Sequence, residues 1–380
     1  MTGYIDLVDP RSLDRRHQLG LLGLVVLAAF PYWIRPVLGR GGGILAVVSV
    51  TSALFFAMFA MSWDTVSGYT GQISFGHSLF FAVGGYGSAL MNLEFGVPPA
   101  AAIVVGTVLA VVAGIVIGGP ALRLEGPYLS LITLVAPLIL LQLFIVFSGT
   151  FGGELGLSSP APLVPMGGFF AQAMANFYVA LALFCVILVV LLAVTRSNAG
   201  SVFTAIREDE EAVAASGLNP AKFKMFAFVL SAAVGGIAGA VFVHTVGKPQ
   251  PSQLLVMTVS IEVIIATIVG GMGTITGAAV GGLFFSLFRE WLSGMSATVP
   301  GLGVQLSSLD LLLFSVITLA ILFFMPGGLL RWVIDRARSL SGESPAPGEP
   351  TPDGGRTPLE QTLANYRERI ETLGGDDDER

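Results

Sequence analysis

Apolar runs long enough to cross a bilayer core of about 30 Å, which takes about 20 helical residues, recur along residues 1–330 with short polar breaks between them. They predict membrane helices over 19–34, 44–62, 73–93, 98–119, 128–147, 177–195, 225–245, 254–271, 274–292 and 308–325. The fold class this implies is an all-α polytopic integral membrane protein with about ten transmembrane helices, eight or nine being the alternatives. The first run is short and ends at Pro31 and Pro36. A basic cluster precedes it as in a signal peptide, but its PYWIRP flank offers poor cleavage chemistry, so it is read as a retained helix. The third run opens on the polar, glycine-rich stretch SGYTGQISFGHSLFFAVGGYGSALM, Ser67 to Met91. Irregular backbone survives at membrane depth only where protein or a watery cavity surrounds it, so this run is predicted to be broken near residues 67–78 and to line a path for something polar.

Composition agrees with the pattern and sharpens the domain boundaries. Hydrophobic residues make up 54% of the chain and charged residues 12%, and the mean hydropathy is +0.81, which excludes an ordinary soluble globule. The formal charge of −6 is concentrated in residues 341–380, which hold ten acids against four arginines. That segment, SGESPAPGEPTPDGGRTP and onward, has the composition of a disordered linker, with a short helix expected at Leu359 to Leu373. Residues 1–340 are therefore taken as a membrane domain and 341–380 as an acidic, disordered cytoplasmic tail. The Lys and Arg bias sets the orientation. With both termini in the cytoplasm of a cell inner or cytoplasmic membrane, Arg11, Arg15, Arg16, Arg123, Arg196, Arg207, Lys222, Lys224, Arg331, Arg336 and Arg338 lie inside. Only Arg35, Arg40, Lys248 and Arg289 lie outside. The basic residues follow topology instead of forming a stripe, so nucleic acid is not an expected partner.

Glycines mark the expected helix contacts. Gly273, Gly277 and Gly281 recur at four-residue spacing in GGMGTITGAAVGG, and Gly235 and Gly239 repeat the device in SAAVGGIAGA. Small residues at this spacing let membrane helices approach closely. The longest internal polar segment, Thr195 to Lys224, is predicted to hold an amphipathic helix through Val202, Ile206 and Val213. Gly217 ends it as a C-cap, and Asn219 with Pro220 serves as N-cap and first residue of the next helix. An exposed amphipathic helix held between two membrane spans is placed to seat in a groove of a cytoplasmic partner.

Within this segment, Glu211-Ala212-Val213 followed by Gly217 is similar to the EAA-loop signature of ATP-binding-cassette importer permeases, with Val where the third position has Ala. The bland reading of the same stretch is a solvated acidic face made by Glu208, Asp209, Glu210 and Glu211. GYTGQISFGHSLFFAVGGYGSAL, GPYLSLITL, AIREDEEAVAASGLNPAKFKMFAFVLSAAVGGIAGA and SIEVIIATIVGGMGTITGAAVGG follow in order. Together they closely resemble the LivM type of branched-chain amino-acid ABC transporter permease, over about Val47 to Leu330. The resemblance implies a permease subunit paired with a second related permease, two cytoplasmic ATPases and an extracytoplasmic solute-binding protein. No G-x-x-x-x-G-K-[ST] phosphate loop occurs, so no cofactor is expected on this chain, and ATP with its Mg belongs to the partner subunits. Arg207, Glu211, Ala212 and Gly217 are then the candidate ATPase-coupling residues, with a surface ion pair as the plain alternative for Arg207 and Glu211.

Candidate substrate-path groups are Gln72, Ser74 and His77 in the broken run, with satisfaction of neighbouring backbone as the alternative, and Glu262 in the middle of a predicted span. Glu262 is expected to pair with a substrate ammonium or with a buried base. Trp63 and Asp64 are read as interfacial anchors, and His244 as interfacial near a helix end. The three histidines, His17, His77 and His244, are far apart and Cys185 stands alone, so no metal site is expected. Composition leaves open an ATP-independent secondary transporter or channel for small polar solutes such as urea or amides. A membrane-embedded enzyme is disfavoured, because paired catalytic carboxylates and a G-x-S-x-G elbow are missing.

Overall fold

The computed structural model of the chain describes residues 15–122, 127–294 and 310–324. The acidic tail, its expected helix and the domain boundary at 340 lie outside the described residues. All regular structure among the described residues is helical. Helix α1 (Arg15–Thr70) consists of two halves, Gly20–Gly39 and Gly41–Thr70, joined at a kink where Gly39 adopts φ 72°. It is followed by α2 (Ser78–Leu93), α3 (Pro99–Ala121), α4 (Pro127–Val146), the short α5 (Ser148–Phe151) with a 3-10 turn at Gly153–Leu155, and α6 (Phe169–Thr195). Then come α7 (Asn198–Glu208), α8 (Glu210–Ala215), α9 (Pro220–Thr245), the short α10 (Pro251–Leu254), α11 (Met257–Gly270), α12 (Ile275–Ser293) and α13 (Asp310–Phe324).

The expected count of about ten spans is not reached by length and apolarity alone. Seven helical stretches among the described residues are long and apolar enough to cross a membrane. Helix α2 has 16 residues and falls short, because residues 71–77 before it are irregular instead of helical. Arg289 and Glu290 near the end of α12 dilute its apolarity. The first helix does not stop at its prolines: Pro31 and Pro36 both lie inside it. A proline in an apolar setting forfeits one bond, whereas ending the helix there would strand several. Helix α6 begins at Phe169, eight residues before the expected start.

Helix α1 packs against α6, α9, α11 and α12, and α2 is sandwiched with α3 and α9. The approach is close enough to require glycine. A Cβ on Gly239 would fall on the carbonyl of Phe81, and one on Gly84 would fall on the carbonyl of Gly236. At Gly235 a Cβ would come within 3.2 Å of Ser62 Oγ and 3.3 Å of Phe80 Cβ. Gly277 and Gly281 face α11, where a Cβ on Gly281 would lie 2.7 Å from Gly270 Cα. Gly273 departs from the expected ridge: it precedes α12, in the turn after α11, with φ +81°. Outward faces of α3, α4 and α6 expose Val104, Val108, Ile115, Leu131, Ile139 and Val189, the surface expected of a helix against hydrocarbon. The described residues thus form a multi-pass membrane protein.

Candidate functional site

The helix break is real but displaced. Ser67 to Thr70 remain helical, and α1 ends where Gly71 takes φ +73°, a backbone that L side chains rarely adopt. Residues 71–77 then run back beside the last turns of α1, and His77 arrives opposite Ser62, eight residues before the helix end and so about 12 Å along it. Side chains from α1 and α4 satisfy this irregular backbone. Ser67 Oγ donates to Gln72 O at 3.0 Å and accepts from Ser74 N at 3.2 Å, and Trp63 Nε1 donates to Ser74 O at 2.6 Å. Ser130 Oγ donates to Ile73 O at 2.7 Å, and Phe75 N donates to Thr133 Oγ1 at 3.2 Å. Replacing Thr133 with valine keeps its shape but leaves the Phe75 N–H unpaired at depth. We expect a loss of about 1–3 kcal/mol, read as a lower unfolding midpoint of the detergent-purified chain; an unchanged midpoint would mean that Phe75 finds another acceptor.

Ser74 and His77 belong to this internal network. His77 is buried, with Nδ1 3.1 Å from Ser74 Oγ and Nε2 2.5 Å from Ser231 Oγ. Ser231 and Ser62 each donate a hydroxyl proton to the other's backbone carbonyl, at 2.6 and 2.8 Å, and so tie α9 to α1. Both ring nitrogens of His77 therefore face protein groups. Gln72 is half-buried at the open end of the segment, next to Gly71. His244 lies in the last turn of α9, near the helix end as expected, and is buried, 2.8 Å from Ser88 Oγ and 2.6 Å from Ala161 O.

A second cluster forms where α7 meets the membrane helices. Helices α7 and α8 are separated at Asp209, whose carboxylate accepts from Ala212 N at 2.9 Å and caps α8. Arg207 and Glu211 consequently lie on different helices and do not form the helical-spacing pair that sequence suggests. Arg207 Nη1 instead donates to Gly68 O at 2.8 Å, and its stem packs over Gly71. Beneath it Asp64, fully buried, accepts from Gly273 N at 2.7 Å, close enough to Arg207 for their charges to interact. Asp64 Oδ2 has no hydrogen-bond partner among the described residues. Trp63 and Asp64 are therefore not interfacial anchors, because α1 continues two turns past them. One guanidinium thus touches the end of α1 and the α11–α12 turn together. Lys224 holds Glu210 at 2.6 Å and fixes α8 on α9. Gly217 takes φ +87° after α8, and Asn219 caps α9 by accepting from Lys222 N. Ala212 and Glu211 stay exposed on α8.

A third feature lies on α11 itself, away from the α11–α12 turn. Glu262 is buried on α11, and its Oε2 accepts from Arg289 Nη1 of α12 at 2.6 Å. Both line a cleft of about 430 Å³ together with Ser252, Gln253, Thr258 and neighbouring valines.

Residues 45–326 match the sequence model of a family described as branched-chain amino acid transport system / permease component. The chain belongs to this permease family. The permease is 29% identical over 301 residues to the high-affinity branched-chain amino acid transport system permease protein LivM of Escherichia coli (strain K12), covering 72% of this chain and 68% of that one. The LivM of Salmonella typhimurium (strain LT2) is 26% identical over 354 residues, covering 87% and 78%. The probable branched-chain amino acid transport permease protein LivM of Methanocaldococcus jannaschii is 25% identical over 293 residues, covering 76% and 82%. No solved structure matches the permease significantly. Sequence reasoning missed Asp64, Gly68, Thr133, Ser231 and Arg289 as parts of these clusters. Asp64 and Gly68 sit four residues apart on one helix face, a signal that was present; the partners of Thr133, Ser231 and Arg289 come from distant helices and leave no local mark.

Proposed function

We propose that this permease is the membrane subunit of an ATP-binding-cassette importer for branched-chain or related amino acids. Energy comes from two separate cytoplasmic ATPase subunits that carry ATP and Mg, the path is shared with a second related permease, and an extracytoplasmic solute-binding protein delivers the solute. The chain itself performs no catalysis. The observation that carries this reading is the seating of the α7–α8 loop, where Arg207 grips the end of α1 and lies against the α11–α12 turn at once. Motion imposed on that loop from outside the membrane is transmitted directly to two spans. Arg207, Glu211, Ala212 and Gly217 form the coupling region, with the exposed Glu211 and Ala212 facing the ATPase. Differential binding of the ATPases to two conformations then rocks the helices. In this reading the α7–α8 loop and both termini, with the acidic segment 341–380, lie on the cytoplasmic side of the cell inner membrane. Gln72 lies on the substrate path, Ser74 and His77 hold its wall in shape, and Glu262, within α11, is the remaining substrate-path group. An ATP-independent transporter for urea or amides is not favoured by the family match.

Extraction of the tagged chain from its own membranes in mild detergent tests the assembly. An ATPase and a second permease are expected to co-purify, with ATP hydrolysis stimulated by a solute-loaded binding protein. A chain that purifies alone and moves leucine in vesicles without ATP overturns the importer.

A further inference from the structure

Beneath the α7 loop, a buried carboxylate short of a donor faces a cation anchored on a neutral carbonyl. Asp64 is fully buried, its Oδ1 accepts from Gly273 N at 2.7 Å, and its Oδ2 has no hydrogen-bond partner among the described residues. A guanidinium carries five N–H donors. One donor of Arg207 bonds Gly68 O at 2.8 Å, and its Nε lies 3.7 Å from Glu208 Oε1. Both groups are flanked by glycine. A Cβ on Gly68 would fall on Asp64 Oδ1 and lie 2.7 Å from Gly273 N, and one on Gly273 would lie 2.6 Å from Arg207 Nη1. A side chain at either position would take the space that guanidinium and carboxylate now share with bare backbone. We propose that Asp64 is a positioning residue of the transport cycle: in a second conformation the Arg207 guanidinium leaves Gly68 O and pairs with Asp64 Oδ2, so that one carboxylate joins α7, the end of α1 and the α11–α12 turn.

The guanidinium has a short way to travel. Asp64 and Gly68 are four residues apart, about one turn of α1, and the Asp64 carboxylate already reaches alongside Gly68. Discrete shifts of up to one helical turn are an established way for packed elements to switch. Electrostatics supplies the bias. A buried carboxylate without a directly bonded counter-charge is strongly unfavourable, and a guanidinium meeting a carboxylate brings charge to both sides of the bond, where Gly68 O brings only a dipole. Gly273 need not be released in the exchange, because it occupies Oδ1 and the guanidinium takes Oδ2. The α11–α12 turn therefore stays with α1 in both conformations, and α7 is the element that changes its hold. Two conformations that differ in the acceptor of one arginine give an external ATPase two states to select between.

The inference rests on the importer reading, and the test separates the two. The whole transporter, with its ATPases and binding protein, is reconstituted in vesicles, and leucine uptake per ATP hydrolysed is measured. Asp64→Asn keeps an acceptor for Gly273 N and removes the charge. Its unfolding midpoint should hold or rise while uptake per ATP falls about tenfold or more, one charge-assisted bond being lost. The double variant with Arg207→Ala should be no worse than either single one, because both changes break the same pair. Asp64→Glu keeps the charge and both acceptors and should recover part of the coupling. Infrared difference spectra on release of caged ATP should contain a carboxylate band that is lost in Asp64→Asn and in Arg207→Ala alike. Normal coupling in Asp64→Asn, additive losses in the double variant, or carboxylate bands indifferent to both changes overturn the switch and leave the importer standing. If Asp64→Asn fails to elute as a single species, the band in Arg207→Ala decides alone. Leucine uptake by the unaltered transporter that needs no ATP overturns the importer, and the switch with it.

Discussion

Arg207→Ala is expected to reduce leucine uptake per ATP hydrolysed by roughly tenfold or more, while the transporter still assembles and still hydrolyses ATP. The side chain makes one charge-assisted bond, to Gly68 O at 2.8 Å, and lies over Gly71 and against Gly273. A bond of that kind contributes about 1.5–3 kcal/mol, enough to shift a two-state equilibrium by one to two decades. Alanine leaves α7 attached through Phe203 and Ile206, which are buried, so the loop should keep its fold and lose only its grip. Asp64 complicates the readout, since removing Arg207 also removes the cationic group acting on a buried carboxylate. The double variant Arg207→Ala, Asp64→Asn resolves this: it should regain stability, judged by unfolding midpoint, and remain uncoupled. Lysine at 207 should not substitute, because a compact ammonium lacks the planar fork that reaches a carbonyl while packing flat over glycine. Coupling that survives in the single variant would place the transmitted force elsewhere on the loop.

The membrane-helix pattern, the capped loop and the break after α1 were legible because each is written locally: long apolar runs, Asn219-Pro220 and Gly217 as end signals, and glycine with polar residues in an apolar context. The exact place of the break was not. Ser67 to Thr70 look polar enough to unwind, yet Ser67 and Thr70 spend their hydroxyls on Gln72 O and Val66 O respectively and stay helical. Nor could the sequence show that Glu211 would part from Arg207, since the helix divides at Asp209, a residue equally at home on an acidic helix face. The candidates at depth were found by type, but their partners were not, because Ser231 for His77 and Arg289 for Glu262 come from other helices. Reading Asp64 as an anchor failed for a related reason: the end of the apolar run at 62 is not the end of the helix, which goes on to Thr70 inside a sleeve of protein.

Gly84→Ala is expected to cost the folded protein outright, whereas Gly23→Ala should be neutral, although both sit in membrane helices. An added Cβ at Gly84 would coincide with the carbonyl of Gly236 and lie 2.7 Å from its Cα, which is backbone on both sides and cannot swing away. At Gly23 the same atom meets nothing within 4 Å. Inserting one methyl into a packed core typically costs about 1–3 kcal/mol even when side chains can yield; here α2 and α9 would have to separate along their length. Separation would also pull Ser231 from His77 and Ser62, so the network that holds the broken segment against α1 would fail with it. No hydrophobic driving force exists between helices in lipid to close the gap again, since packing itself supplies the association. The measurement is the fraction of detergent-extracted chain that elutes as a single species, with its unfolding midpoint. Gly84→Ala protein that matches the parent in both would show that α2 and α9 do not lie at backbone contact, and the wall of the proposed path would then need a different support.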